Sequence, residues 1–176
     1  RYTRKGGLGE AEKDLDVAQG ANGGDSGRVL AHLTELIEEE LLPGDTVVVN
    51  CGLHDIKMNP EDRTLQVDLA SYRKNLKSMI ELVEGSGRRF IWVTTTPVDE
   101  EQHQQHSTKF HRMESDLAAY NAAALEIMRS HGISILDLYT FTLSLGPDLY
   151  RDHVHFHKRI SQQQADFLAE SLERLF

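Results

Sequence analysis

Apolar residues along this chain switch between two periods, and the switches set out an architecture. From Val29 the apolar positions Leu30, Leu33, Ile37 and Leu41 recur at the spacing of one helical face, and Pro43-Gly44 ends the segment. DTVVVNCG (45–52) follows, a short β-branched run of the kind buried on both faces of a parallel sheet. The cycle then repeats. Leu69, Tyr72, Leu76, Met79 or Ile80, and Val83 mark a second helix, stopped by the glycines of 85–87, and RRFIWVTTT (88–96) gives a second strand closed by Pro97. A third helix carries Met113, Leu117, Tyr120, Ala124 and Ile127, ends near His131-Gly132, and leads into ISILDL (133–138) as a third strand. Between these, 99–111 reads as an exposed histidine-bearing loop and 140–157 as irregular, before a last helix with Ala165, Leu168, Leu172 and Leu175. Residues 1–27 are polar and glycine-rich and read as loop.

Three alternations of helix and strand predict a three-layer α/β/α sandwich with a parallel sheet, flavodoxin-like in plan. The 176 residues suit one domain. In such folds ligands sit beyond the carboxyl ends of the strands. Residues 50–55, 94–97 and 137–139 are therefore the places to look for chemistry.

Charge and composition narrow the classes of partner. A formal charge of −9, with no clustered Lys and Arg, argues against a nucleic-acid surface. The apolar runs fall well short of the roughly 20 residues a membrane-spanning helix needs, so no membrane span is expected. Cys51 is the only cysteine, so no internal disulfide can form. The chain opens on Arg1 rather than Met, which leaves a targeting segment upstream open. The EEE of 38–40 reads as a solvated helix end, and Trp92 as a packed strand residue.

Three polar segments converge on the predicted rim. GGDS (23–26) precedes a helix, so its backbone N–H groups could bind an oxyanion, or Asp25 or Ser26 could simply cap that helix. GLHD (52–55) follows the first strand, where His54 could donate into a cleft or serve as a structural histidine. In RDHVHFH (151–157), Asp152 and His155 have the D-x-x-H spacing that lets a carboxylate orient an imidazole and leave its other nitrogen as a general base. The same segment has a second reading. His153, His155 and His157 on an extended strand would share a face and could ligate zinc, with His103, His106 and His111 as further candidates.

The ordered set NGGDS, VVVNCGLHD, WVTTTP, Tyr120-Asn121 and DHVHF resembles the SGNH hydrolases, or GDSL esterase superfamily, across nearly all of the chain. The resemblance implies an SGNH-type α/β fold and serine-type ester hydrolysis through an acyl-enzyme, with no cofactor. It matches Gly24 to the oxyanion-hole glycine, His54 to the asparagine oxyanion donor, and Asp152 with His155 to the acid and base. Two departures stand out. His54 replaces the expected asparagine, although a neutral imidazole N–H can also donate to an oxyanion. No apolar strand precedes Ser26, whose distance from GLHD suits the second block of the family, so the resemblance makes Ser26 a neighbour of the oxyanion site. It places the nucleophilic serine upstream of Arg1, in a domain that is N-terminally incomplete. The implied substrate is a small ester, with an acylated carbohydrate preferred. A metal-dependent hydrolase built on the 153/155/157 histidines and a non-catalytic binding module on the same fold are the rival readings.

Overall fold

The computed structural model describes residues 23–42, 44–106 and 109–176. The elements run α1 (Ser26–Glu38), β1 (Thr46–Val49), α2 (Leu69–Gly85), β2 (Arg89–Val93), α3 (Glu100–His106), α4 (Glu114–Ser130), β3 (Ser134–Leu136), α5 (Leu138–Ser144) and α6 (Lys158–Glu173). The strands pair in parallel in the order β1-β2-β3, with Val48 opposite Ile91 and Trp92 opposite Ile135. Each strand is entered from a helix packed against the sheet, which is the reason the order is sequential.

The period of two along each strand divides the core between two faces. Val47, Val49, Phe90 and Trp92 point to one side, where they meet Leu33 of α1, the Tyr72, Leu76, Met79, Ile80 and Val83 stripe of α2, and Leu117, Ala124, Ile127 and Met128 of α4. Ile91, Val93 and Leu136 point to the other, under Leu168 and Leu172 of α6. Helices thus cover both faces of the parallel sheet, as the alternating pattern predicts.

Aspartate side chains start several helices by accepting an otherwise unpaired backbone N–H: Asp25 from Arg28, Asp68 from Ser71 and Asp137 from Thr140. Asp25 is therefore the cap of α1, one of the two options the sequence leaves open, and α1 begins at Ser26, three residues before the first periodic apolar position.

Two expectations are corrected. The stretch 99–111 is not wholly an exposed loop, because it contains α3, whose His103 is buried. A seven-residue helix written EEQHQQH has no apolar period to announce it. Likewise 140–157 is not irregular throughout, since Asp137 caps α5 and ends the third strand at Leu136. Of residues 1–27, read as loop, 1–22 lie outside the described residues, and Ser26-Gly27 belong to α1.

Candidate active site

The first part of the site is a closed loop between α5 and α6. Arg151 N–H donates to the His155 carbonyl at 2.8 Å and His157 N–H to the Leu149 carbonyl at 2.9 Å, so residues 149–157 double back on themselves. The Tyr150 and Phe156 rings stack at 4.7 Å, and the Tyr150 hydroxyl donates to the Pro97 carbonyl just beyond β2. That contact ties the loop to the carboxyl end of the sheet.

Within the loop, Asp152 Oδ1 accepts the backbone N–H groups of Val154 at 3.0 Å and His155 at 2.8 Å. His155 Nδ1 lies 2.9 Å from Asp152 Oδ1 and 3.0 Å from Oδ2. These backbone donors, with the imidazole beside them, hold the Asp152 carboxyl far below the usual carboxylate range. A carboxylate that stays ionised keeps the proton on Nδ1 and leaves Nε2 as the basic nitrogen. The His155 side chain is 67% exposed, open to a substrate.

The histidine comb does not form. The segment is bent rather than extended. His153 stacks against His103 and His106 at 5.4 and 5.8 Å, His155 turns to Asp152, and His157 Nε2 reaches Asp148 Oδ1 at 3.3 Å. Three imidazoles with three different partners share no ligand position, and no cluster of His, Cys, Asp or Glu is placed to hold a metal ion among the described residues.

The second part joins GGDS to GLHD. Asp55 is fully buried, and both its carboxylate oxygens accept the Ser26 N–H, at 3.0 and 3.1 Å. Burial pushes the Asp55 carboxyl above its ordinary value despite that hydrogen bond. The Ser26 hydroxyl accepts from Asn75 Nδ2 at 2.9 Å, and Ser26 itself has no exposed surface. Asp25 Oδ2 is held by Gln66 Nε2 at 2.6 Å.

Two glycines shape this junction. Gly24 has φ +75°, and a Cβ there would stand 2.8 Å from Arg28 Cδ. Gly52 has φ +142°, and a Cβ there would stand 2.6 Å from Thr95 Oγ1. Thr95 Oγ1 uses that close approach to donate to the Cys51 carbonyl at 2.9 Å, locking the end of β1 to the end of β2. Asn121 of α4 completes the lock, accepting from Thr95 N–H at 3.0 Å and donating to its carbonyl at 2.8 Å. This gives the Tyr120-Asn121 pair of the motif set a concrete duty.

His54 is half-buried at the rim. Burial, followed by the Lys57 and Arg112 cations, lowers its pKa and keeps the imidazole neutral. Leu53, its neighbour in the chain, lines one pocket with His153 and Val154 of the dyad loop and with Thr96 and Pro97 after β2. Of the two tyrosines near the rim, Tyr150 lines this pocket while the Tyr139 hydroxyl donates to Glu114 Oε1. The structure thus brings GGDS against GLHD through Ser26 and Asp55, and sets the dyad loop beside the GLHD turn.

Arg112 escapes sequence reasoning altogether, and His103 was read there only as a further zinc-ligand candidate. Both are buried, and Arg112 Nε donates to the Leu53 carbonyl at 2.7 Å. The only sequence signal was an arginine at the edge of a polar stretch, which ordinarily means a solvated side chain.

No protein-family model matches the chain. It is similar to human isoamyl acetate-hydrolyzing esterase 1 homolog, at 30% identity over 101 residues, or 53% of this chain. The match spans 41% of that relative's length. Among solved structures, a lipase/acylhydrolase from Enterococcus faecalis superposes with a TM-score of 0.68 at 20% identity, covering 86% of this chain and 72% of that one. A GDSL-like lipase from Bacteroides thetaiotaomicron superposes with a TM-score of 0.67 at 17% identity, covering 88% and 74%. The chain has the SGNH-hydrolase α/β fold.

Proposed function

We propose that the protein is a serine-type ester hydrolase in which Asp152 and His155 form the acid–base pair. The observation that carries this reading is the Asp152–His155 contact at 2.9 Å, on a loop anchored to the strand end, with the imidazole facing solvent. His155 Nε2 takes the proton from a seryl hydroxyl as its oxygen attacks the ester carbonyl. The Gly24 backbone N–H and the neutral His54 ring N–H donate to the resulting oxyanion. The protonated His155 then returns its proton to the departing alkoxide, leaving an acyl-enzyme. Water activated by the same nitrogen releases the acid.

Ser26 is not the nucleophile in this reading. Its hydroxyl is buried and accepts from Asn75, and its N–H is committed to Asp55, so it serves to join the oxyanion glycine block to the GLHD turn. The seryl nucleophile is not among the residues assigned a role above. The substrate is a small ester, with an acyl group on a carbohydrate as the preferred class.

The test is p-nitrophenyl acetate hydrolysis by the full-length protein, with and without a serine-directed phosphonate, followed by mass spectrometry of the labelled peptide. Phosphonate-sensitive turnover with a label on a serine other than Ser26 is the expected result. A label on Ser26 overturns the block assignment. Activity lost on chelation and indifferent to the phosphonate overturns the serine mechanism, and saturable ligand binding without turnover favours a binding module.

A further inference from the structure

The pocket beside the dyad loop holds groups that the ester chemistry leaves unused. Its walls include Leu53, Pro97, Val98 and Phe156, and it is also lined by Arg112 and His103. Arg112 is only 5% exposed. Its Nε meets the Leu53 carbonyl and its guanidinium lies over the Phe110 ring at 4.9 Å, yet no carboxylate pairs with it among the described residues. His103 is 1% exposed, and its ring faces the backbone carbonyls of His153 and Phe110 without a well-aligned hydrogen bond to either.

The Arg112 environment runs against how folded chains treat charged groups, since a guanidinium removed from water ordinarily has a counter-charge beside it. Holding the Leu53 carbonyl does not account for the charge, since a neutral donor would make the same hydrogen bond. Lys57 adds to the excess: its Nζ sits 5.0 Å from the Phe110 ring centroid. In a protein of net charge −9, Arg112 and Lys57 thus stand against the same aromatic ring. Such a local field concentrates anions.

We propose that this pocket binds the carboxylate of an anionic ester substrate, with Arg112 as counter-ion and a His103 ring N–H as a second donor. The proposal rests on the esterase reading and sharpens its substrate class from small esters to carboxylate-bearing ones. The planar fork of Arg112 matches a carboxylate, and the Leu53, Val98 and Phe156 walls accept the methylene groups between that carboxylate and the ester. His153, whose ring centroid lies 5.4 Å from that of His103, connects the pocket to the loop that carries Asp152 and His155.

The experiment is an NMR titration of the full-length protein, observing the His103 imidazole, with succinate and, at matched ionic strength, neutral succinamide. It is paired with kcat/KM for monomethyl succinate against methyl butyrate. Succinate is expected to shift the His103 signal and to bind at least tenfold more tightly than succinamide, with the same preference in kcat/KM. Arg112→Gln should erase that preference. Should this variant fail to fold, His103→Phe, which keeps an aromatic wall and removes both ring nitrogens, should reduce the preference severalfold. Equal binding of succinate and succinamide, or no binding of either, overturns the proposal even if neutral esters are hydrolysed. Selective succinate binding with no turnover of any ester sustains the anion pocket and sinks the esterase reading instead.

Discussion

Two carboxylates in this protein sit beside residues of the kind hydrolases use, and they live in opposite surroundings. Asp152 is 37% exposed and meets His155 three residues away, within a loop closed by its own backbone. Asp55 is fully buried and meets Ser26, 29 residues away, across the junction of two segments. Backbone donors hold Asp152 ionised, whereas burial raises the pKa of Asp55. The contrast teaches that a carboxylate's job follows from what surrounds it. The exposed pair can lose its partner at little cost to folding, and the buried one cannot.

The sharpest way to break this comparison is to remove the exposed base. His155→Ala in the full-length active protein should lower kcat by on the order of 10⁴-fold or more, with the melting temperature nearly unchanged. A loss below about tenfold would sink the mechanism, since general acid–base catalysis by itself contributes about 10²–10⁴-fold. Asp152→Asn should follow at roughly 10³–10⁴-fold, because an amide no longer fixes the imidazole tautomer. Its thermal unfolding should again move little.

Substitutions at the buried junction should reverse that pattern. Asp55→Ala strands the Ser26 N–H in the interior, which costs roughly 1–3 kcal/mol, partly offset by no longer burying a carboxyl. The melting temperature should fall by several degrees, with any rate loss following from misfolded protein. Gly52→Ala should destabilise by about 1–3 kcal/mol, from the strain of φ +142° and the collision with Thr95 Oγ1. Urea unfolding of the variants, compared with their kcat, checks whether the two regions separate as described.

The smallest effect, and the most discriminating, is a difference in sign with pH. The Asp152 carboxyl is lowered, so its contribution to stability is present above the unfolded value of 3.8 and fades as the pH falls toward its folded value. The Asp55 carboxyl is raised, so its contribution is fully present below 3.8 and fades as the pH rises through its folded value. The stability gap between wild type and Asp152→Asn should therefore open as the pH rises from about 2 to 4. The gap for Asp55→Asn should narrow as the pH rises above 3.8. Denaturant titrations across this range test both, and gaps of the same sign would erase the distinction.

Much of the fold was legible because amphipathic elements record their burial as a period. The Leu76–Met79–Val83 stripe of α2 and the β-branched run of β1 each bury one continuous surface, and that demand shows in the order of residues. The dyad was legible for a related reason: Asp152 and His155 are close in sequence, so one loop suffices to join them. Short helices of mixed polarity leave no such record. The α3 segment reads as loop although it buries His103, and α5 is hidden within a strand-like run and the stretch after it.

Sequence alone therefore determined the layered α/β plan and the local carboxylate–imidazole pair. Tertiary structure decided that Ser26 is buried against Asp55 and Asn75, that the three alternate histidines part to three partners, and that Arg112 and His103 meet in one pocket. The reason is one of range. Local spacing constrains what lies within a few residues, whereas a buried charge or a buried imidazole is defined by segments that only folding brings together.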